Sequence, residues 1–498
     1  MKTDTFSTRW KATLGLLAGL IAGLLFGLLL PPELGWWLHL LVSAILGLLF
    51  GILIGPCIRT PGTGLIWGQA YGLLWWLFGS LTLVPLFSGQ GLGWMTAKAQ
   101  ETLPLLLGDV VGFGAVLGVA YYALTWGLNN LGLIDLKEPE RDLPPGRPQR
   151  QTIVPQLVRA VIVGGLGGLI GSWIFARGVE TAMFFPLIAG LMESTAMSLG
   201  RFLHYAIGTT IGISFGLFFS RDIRAVGSSL VWGLDYGLVW WVLGPMTFLP
   251  ILLGMETRPD WSLQAAQSKV PALVAHMLYG AILGLFYGLT NKIWRVLFVD
   301  SDPVNRAMES PGSRGLRNVL IGLGSGVIGG LLFTIVMLRT GSLIQIANLV
   351  GAQSAFAGFI VHLLIAIVVG ITYGLLFEQQ HHGYGASLVW ATVYALWWWL
   401  LGAATLFPIL LNQPVDWSLG TVTGLYPSLI GHLLYGVGLG LVFQFLASRY
   451  KRAPSSHARR DRQRGYLQPG EGREPAPALW VVTLVLGVML PLLLSVGI

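Results

Sequence analysis

Long apolar stretches separated by short polar ones run the whole length of the chain. Thirteen of them pass the length test for a spanning helix, which needs about 20 residues to cross about 30 Å of hydrocarbon. They lie near 12–30, 36–55, 63–86, 103–126, 157–176, 200–220, 228–253, 270–291, 317–338, 355–377, 386–411, 426–447 and 478–497. This pattern predicts an all-α integral membrane protein with about 13 transmembrane helices. The first stretch follows Arg9 and Lys11 and has no small-residue cleavage site after it, so it reads as a helix that stays in the membrane.

Three of these stretches share one pattern: LIWGQAYGLLWWLFGSLTLVP from Leu65, LVWGLDYGLVWWVLGPMTFLP from Leu230 and LVWATVYALWWWLLGAATLFP from Leu388. Each has Trp, then Tyr at +4, Trp-Trp at +8 and +9, Gly at +12, Thr at +15 and Pro at +18. The first copy is Trp67, Tyr71, Trp75, Trp76, Gly79, Thr82 and Pro85. The second is Trp232, Tyr236, Trp240, Trp241, Gly244, Thr247 and Pro250. The third is Trp390, Tyr394, Trp398, Trp399, Gly402, Thr405 and Pro408. A histidine stands 28 residues before the first Trp every time: His39, His204 and His362. The helix that follows opens with Pro-x4-Asp or Pro-x4-His: Pro104/Asp109, Pro271/His276 and Pro427/His432. Asp-Trp pairs, Asp260-Trp261 and Asp416-Trp417, sit in two of the loops between them.

A fixed spacing repeated three times marks an internal repeat. Each repeat holds four helices, an even number, so all three enter and leave on one side. They are direct repeats about an axis along the membrane normal, closing most simply as a pseudo-threefold ring, with one extra C-terminal helix. The divisions are 1–130, 157–299 and 315–448 for the repeats, with linkers at 131–156, 300–314 and 449–476, and the extra helix at 477–498. The segments Gly178–Leu199 and Gly341–Ala352 read as short interfacial or re-entrant helices, which the first repeat replaces with Pro31-Pro32-Glu33.

Composition sharpens this picture. Of 498 residues, 54% are hydrophobic and 10% charged, against roughly 25% charged in a soluble globular chain. That excludes a soluble enzyme, a disordered chain and a nucleic-acid-binding domain, despite a net charge of +8. The 68 glycines fall into i, i+4 ladders, among them Gly15/Gly19/Gly23/Gly27, Gly47/Gly51/Gly55, Gly208/Gly212/Gly216, Gly280/Gly284/Gly288 and Gly322/Gly326/Gly330. Such stripes let helix backbones approach in lipid. The single cysteine, Cys57, leaves no intramolecular disulfide. With the N-terminus inside, six of the 30 basic residues lie outside: Lys98, Arg177, Arg201, Arg258, Lys269 and Arg339. The bias places the N-terminus in the cytoplasm and the C-terminus outside, in a plasma membrane. The basic run Arg449–Arg464 is a juxtamembrane segment suited to anionic lipid.

Ionisable groups at membrane depth are candidate functional residues. On a regular helix, the repeated Trp, Tyr, second Trp, Gly and Thr share one face. His39, His204 and His362, the residues Asp109, His276 and His432, and Thr82, Thr247 and Thr405 share one depth by helix rise. Three readings of this ring stand open. The histidines fix helix register; or they line a proton relay or substrate pathway; or His204/His276 and His362/His432 hold haem or a metal. No cofactor is expected on the first two readings. Asp235 breaks the repeat, standing where Ala70 and Val393 stand in the other copies; it is either solvated near the interface or an asymmetric proton or cation site. His381-His382 fall in a loop, and Trp36, Trp37 and Trp94 read as interfacial belts.

No Walker, HExxH, zinc-finger or GxSxG pattern is present, so an enzyme is the least supported class. At the level of architecture the arrangement resembles transporters built from parallel repeats. The leading expectation is a small-solute or ion transporter, or a channel-like protein, with its pathway between the repeats. The rival is a non-catalytic scaffold or accessory subunit of a membrane assembly.

Overall fold

The computed structural model describes residues 8–29, 35–134, 153–179, 184–223, 225–299, 310–377, 383–416, 419–452, 476–485 and 489–494. Among them every regular element is helical. Twelve helices are long and apolar enough to cross a membrane. In chain order they are α1 (Thr8–Leu29), α2 (Trp36–Leu53), α3 (Pro61–Phe87), α4 (Leu103–Asn130), α5 (Ile153–Val179), α6 (Met197–Phe219), α7 (Val226–Leu252), α8 (Val270–Trp294), α9 (Pro311–Thr340), α10 (Ala355–Leu376), α11 (Tyr384–Leu410) and α12 (Tyr426–Arg452). The thirteenth apolar stretch is described as α13 (Ala476–Leu484) and a turn at Leu490–Leu493. The linker Leu136–Arg150, the His381-His382 pair, Trp417, most of Arg449–Arg464, and Pro31-Pro32-Glu33 lie outside the described residues.

Water gives helices in lipid no reason to associate, so backbone proximity must. A methyl group added to Gly15 would strike the Gly47 carbonyl, and one on Gly47 the Gly15 carbonyl. The pairs Gly164 with Gly212 and Gly322 with Gly370 do the same for α5–α6 and α9–α10. On the other side of each bundle, Gly68 meets Gly114, Gly233 meets Gly280, and Gly436 meets Ala391.

The register of that second set needs an adjustment in the first copy. Gly114 lies ten residues after Pro104, whereas Gly280 and Gly436 lie nine after Pro271 and Pro427. Helix α4 absorbs the extra residue in a π-helical segment, Gly108–Gly114. A π turn takes one more residue than an α turn, so the backbone contacts downstream realign.

A second π segment lies in α3 (Trp76–Leu83), α7 (Gly244–Phe248) and α11 (Trp399–Leu406). All three helices end alike. The fourth residue after the repeated Pro is left-handed, at Gly89, Gly254 and Asn412. The next N–H donates back to that Pro's carbonyl, from Gln90, Met255 and Gln413. This is the positive-φ termination that glycine and asparagine accommodate.

The expected interfacial segments hold short helices at Phe184–Ala189 and Leu343–Ala347. Their backbones press on α6 and α10 where a side chain would not fit, at Gly200 and Gly358. At the matching first-copy position, Gly35 has open space.

Contacts cluster into two compact units. One is Met1–Asp222, Tyr236–Tyr279 and Pro454–Ala478; the other is Ile223–Asp235, Gly280–Ala453 and Leu479–Ile498. In the second unit, the Trp480 indole donates to the Thr392 hydroxyl at 3.1 Å. Along α13, Ala478, Leu479, Val482 and Thr483 are each at most 2% exposed. These positions share one face at helical spacing, and that face packs against the chain.

Candidate functional site

The nominated histidines converge on a layer that recurs in each copy. His39 donates Nε2–H to the Gly23 carbonyl at 2.8 Å, His204 to Ser172 at 3.0 Å, and His362 to Gly330 at 3.1 Å. The three carbonyls stand at matching places on α1, α5 and α9. Three residues further on lies a phenylalanine in each case: Phe26, Phe175 and Phe333.

That phenylalanine forms the centre of the layer. Phe175 stands 5.4 Å from the His204 ring and 4.9 Å from the His276 ring. Phe333 stands 5.1 Å from His362 and 4.7 Å from His432. Phe26 lies 6.0 Å from His39, and its other side occupies the space above Gly108 and Gly112, beside Asp109. The sequence reading missed all three. In the second and third copies Phe precedes His by 29 residues, but in the first by 13, because the interfacial segment is shorter. A phenylalanine in an apolar run also has no contrast with its neighbours.

The metal and haem alternative gains no support from this geometry. One ring nitrogen of each imidazole is already bonded to a carbonyl: His204 and His362 donate Nε2–H, and His276 and His432 donate Nδ1–H to the Ala272 and Ser428 carbonyls at 2.7 and 2.8 Å. Among the described residues, no group of three or more His, Cys, Asp or Glu is placed to hold a metal ion.

The aromatic stripe differs from its expected form. On a regular helix the Trp at +8 belongs to it; in the structure Trp75, Trp240 and Trp398 are only half-buried. The Trp at +9 is enclosed instead: Trp76 and Trp241 at 0% and Trp399 at 1% exposure. Each +9 indole donates to the carbonyl two residues before the fourth-helix Pro: Trp76 to Thr102, Trp241 to Lys269 and Trp399 to Leu425, at 3.0–3.2 Å. The adjacent Pro cannot offer an N–H, and the indole ties this helix start to its neighbour.

The first Trp of each stripe, at Trp67, Trp232 and Trp390, is half-buried in the first copy and 1% exposed in the other two. Tyr71 donates to the Leu46 carbonyl at 2.8 Å. Tyr236 pairs with the Ser214 hydroxyl at 2.6 Å, and Tyr394 with Thr372 at 2.7 Å.

The threonines close the π segments. Thr82, Thr247 and Thr405 each donate to the carbonyl five residues back, on Leu77, Val242 and Leu400, at 2.7–2.8 Å. Five residues is the spacing of a π turn. Thr82 accepts from the Trp94 indole at 3.0 Å, and Thr247 from Trp261 at 2.9 Å. Trp94 therefore anchors the loop to α3. Trp261 is buried, whereas its neighbour Asp260 is exposed. The Ser262 backbone N–H, then the Ser262 hydroxyl, hold the Asp260 carboxyl below the usual range.

Asp235 departs from the solvated reading: it is 1% exposed, inside α7. In the first copy a neighbouring register position holds another buried polar group. Gln69 is 0% exposed, and neither of its amide atoms has a hydrogen-bond partner. No family model, curated protein or solved structure matches the chain.

Proposed function

We propose that the chain is a non-catalytic membrane protein built of three direct four-helix repeats, and that its histidine–aromatic layer locks the helices of each repeat together. On this reading it serves as a scaffold or accessory subunit of a membrane assembly. One observation carries the proposal. In every copy, the polar atoms of the second-helix His and of the third-helix Tyr, enclosed Trp and Thr meet partners within their own four helices. A buried polar group with its partners in place rigidifies a fold; a solute site needs donors or acceptors left to offer.

The repeat itself draws support from contacts between successive copies. A methyl group on Gly62 of α3 would strike Phe219 at the end of α6. One on Gly227 of α7 would strike Phe377 at the end of α10. Both glycines lie five residues before the first stripe Trp, and both phenylalanines fifteen after the repeated His. Matching residues thus meet at both junctions. In the proposed orientation the N-terminus and the basic run to Arg464 face the cytoplasm, with that run against anionic lipid.

Transport of a small solute or ion remains the second reading, favoured by one residue. Asp235 is a carboxylate enclosed in a spanning helix, at a position where the other copies carry Ala70 and Val393. Such groups mark ion and proton pathways.

Thiol accessibility separates the two. Cys57 is exposed and is first replaced by Ser. Single cysteines at Tyr236, Trp240, Gly244 and Thr247 are then challenged in intact cells with a membrane-impermeant reagent. The scaffold reading expects no labelling at Tyr236 and Thr247 in protein that still inserts. Labelling that fades gradually from Thr247 toward Tyr236 would overturn it in favour of a water-filled pathway.

A further inference from the structure

The second copy carries an open groove along α5 and α6. Its volume is about 340 Å³ and its lining is Leu169, Ile170, Trp173 and Tyr205. Trp173 is 52% exposed and Leu169 44%, so the groove opens outward. A volume near the lower end of ligand pockets accommodates part of an acyl chain rather than a whole lipid.

Two cations flank this groove. Arg177 lies one turn beyond Trp173 on α5, with its guanidinium 5.1 Å from the Trp173 ring centroid. Arg201 lies one turn before Tyr205 on α6, over the Phe185 ring at 5.1 Å. The second-helix His bonds tie α5 and α6 antiparallel, so both arginines extend from the groove toward the same end of the bundle. On each helix, residues four apart share a face. The arrangement from groove to bundle end is therefore apolar floor, aromatic ring, then guanidinium, on both walls.

The other copies provide an internal control. Where the second copy has Trp173, Arg177 and Tyr205, the first has Leu24, Leu28 and Leu40, and the third has Leu331, Ile335 and Leu363. Arg201 stands where they have Trp36 and Phe359. The shared layer beneath, His204 on Ser172 with Phe175 beside it, is unchanged. Packing within the repeat does not require these four residues, since two copies do without them.

We infer that this groove binds an anionic phospholipid, one acyl chain lying along Leu169, Ile170, Trp173 and Tyr205 and the phosphate meeting Arg177 and Arg201. Guanidinium groups suit phosphate oxygens, and aromatic rings favour the level where chain gives way to headgroup.

The test uses the full-length protein, delipidated in detergent and titrated with phosphatidylglycerol or with phosphatidylcholine, bound lipid being counted by native mass spectrometry. The wild-type chain should retain phosphatidylglycerol in preference by about tenfold or more, since each basic group near an anionic headgroup is worth about fivefold. Substituting the first copy's residues, Trp173→Leu, Arg177→Leu and Tyr205→Leu together, should reduce that preference at least about fivefold on the same reasoning. The lipid-free melting temperature should stay unchanged. Leu169→Trp, which fills the groove and leaves both arginines, should weaken retention of either lipid at this site. Equal retention of the two lipids by the wild-type chain would overturn the inference, as would an undiminished preference in the triple variant. If the triple variant fails to fold, Arg177→Gln and Leu169→Trp are read singly against the same two expectations.

Discussion

The first copy and the other two reach the same contacts with different residues. Copies two and three bring two imidazoles against one phenylalanine, His204 and His276 against Phe175, and His362 and His432 against Phe333. The first has one imidazole, His39, and Asp109 stands at the other position. Copies two and three donate a fourth-helix tyrosine hydroxyl to the second helix, Tyr279 to Gly208 and Tyr435 to Ala366. The residue before the contact glycine in the first copy is Phe113, which has no hydroxyl to give. Among the described residues, the first copy alone has a π segment ahead of that glycine, at Gly108–Gly114. Unchanged in all three are the second-helix His on a first-helix carbonyl, the +9 indole on the carbonyl before Pro, and close backbone approach at small residues. These contacts end on backbone, as do the two tyrosine bonds that the first copy lacks, so a contact persists where its donor side chain is kept.

The largest effect expected from this comparison comes from deleting one residue. In α8, removing Met277 would turn everything after it by about 100°. Gly280 and Gly284 would leave the faces they share with Gly233 and Ser229. No monodisperse protein is expected on size exclusion. In α4, removing Val111 from the π segment gives the nine-residue spacing of the other copies, and a folded protein with a slightly lowered melting temperature is expected. Equal damage from the two deletions would show that the π segment is not a one-residue insertion.

A middle-sized effect comes from the phenylalanines. Phe175→Ala and Phe333→Ala each remove a buried ring that faces two imidazoles, at a cost of about 3 kcal/mol. Phe26→Ala removes a ring with one imidazole neighbour and should cost less. Thermal unfolding in detergent, one variant per copy, reads the order. A first-copy variant as damaging as the other two would mean that the imidazole faces add nothing to plain packing.

The periodicity of apolar and polar positions was enough for the twelve helices long and apolar enough to cross a membrane. Two assumptions limited the rest. One face of a regular helix takes in the +8 Trp, whereas the enclosure of the +9 Trp is set by the start of the fourth helix, whose carbonyl its indole bonds. The layer was sought among polar residues, so the phenylalanines beside the imidazoles went unseen. Asp235 was legible as an exception to the repeat; its enclosure was not, because solvent exposure near a helix end depends on what other helices bring against it. The partners of the threonines could not be read either, since a bond to the carbonyl five residues back presupposes the π turn.

The smallest effect concerns Gln69, where the comparison between copies also bears on function. The amide is fully enclosed and makes no hydrogen bond, which costs about 1–3 kcal/mol relative to a satisfied group. The second copy has Leu234 at this register, two residues after its first stripe Trp. Gln69→Leu keeps a similar length, removes the desolvated amide and should raise the melting temperature, by about 1 kcal/mol of stability. A variant that is less stable than the wild type would show that the amide has a partner that matters to the fold. A variant that is more stable but no longer supports the cell would have a different meaning. The amide would then be held at a stability cost for something other than folding, as a solute or ion pathway requires, and the scaffold reading would have to yield to transport in the first copy.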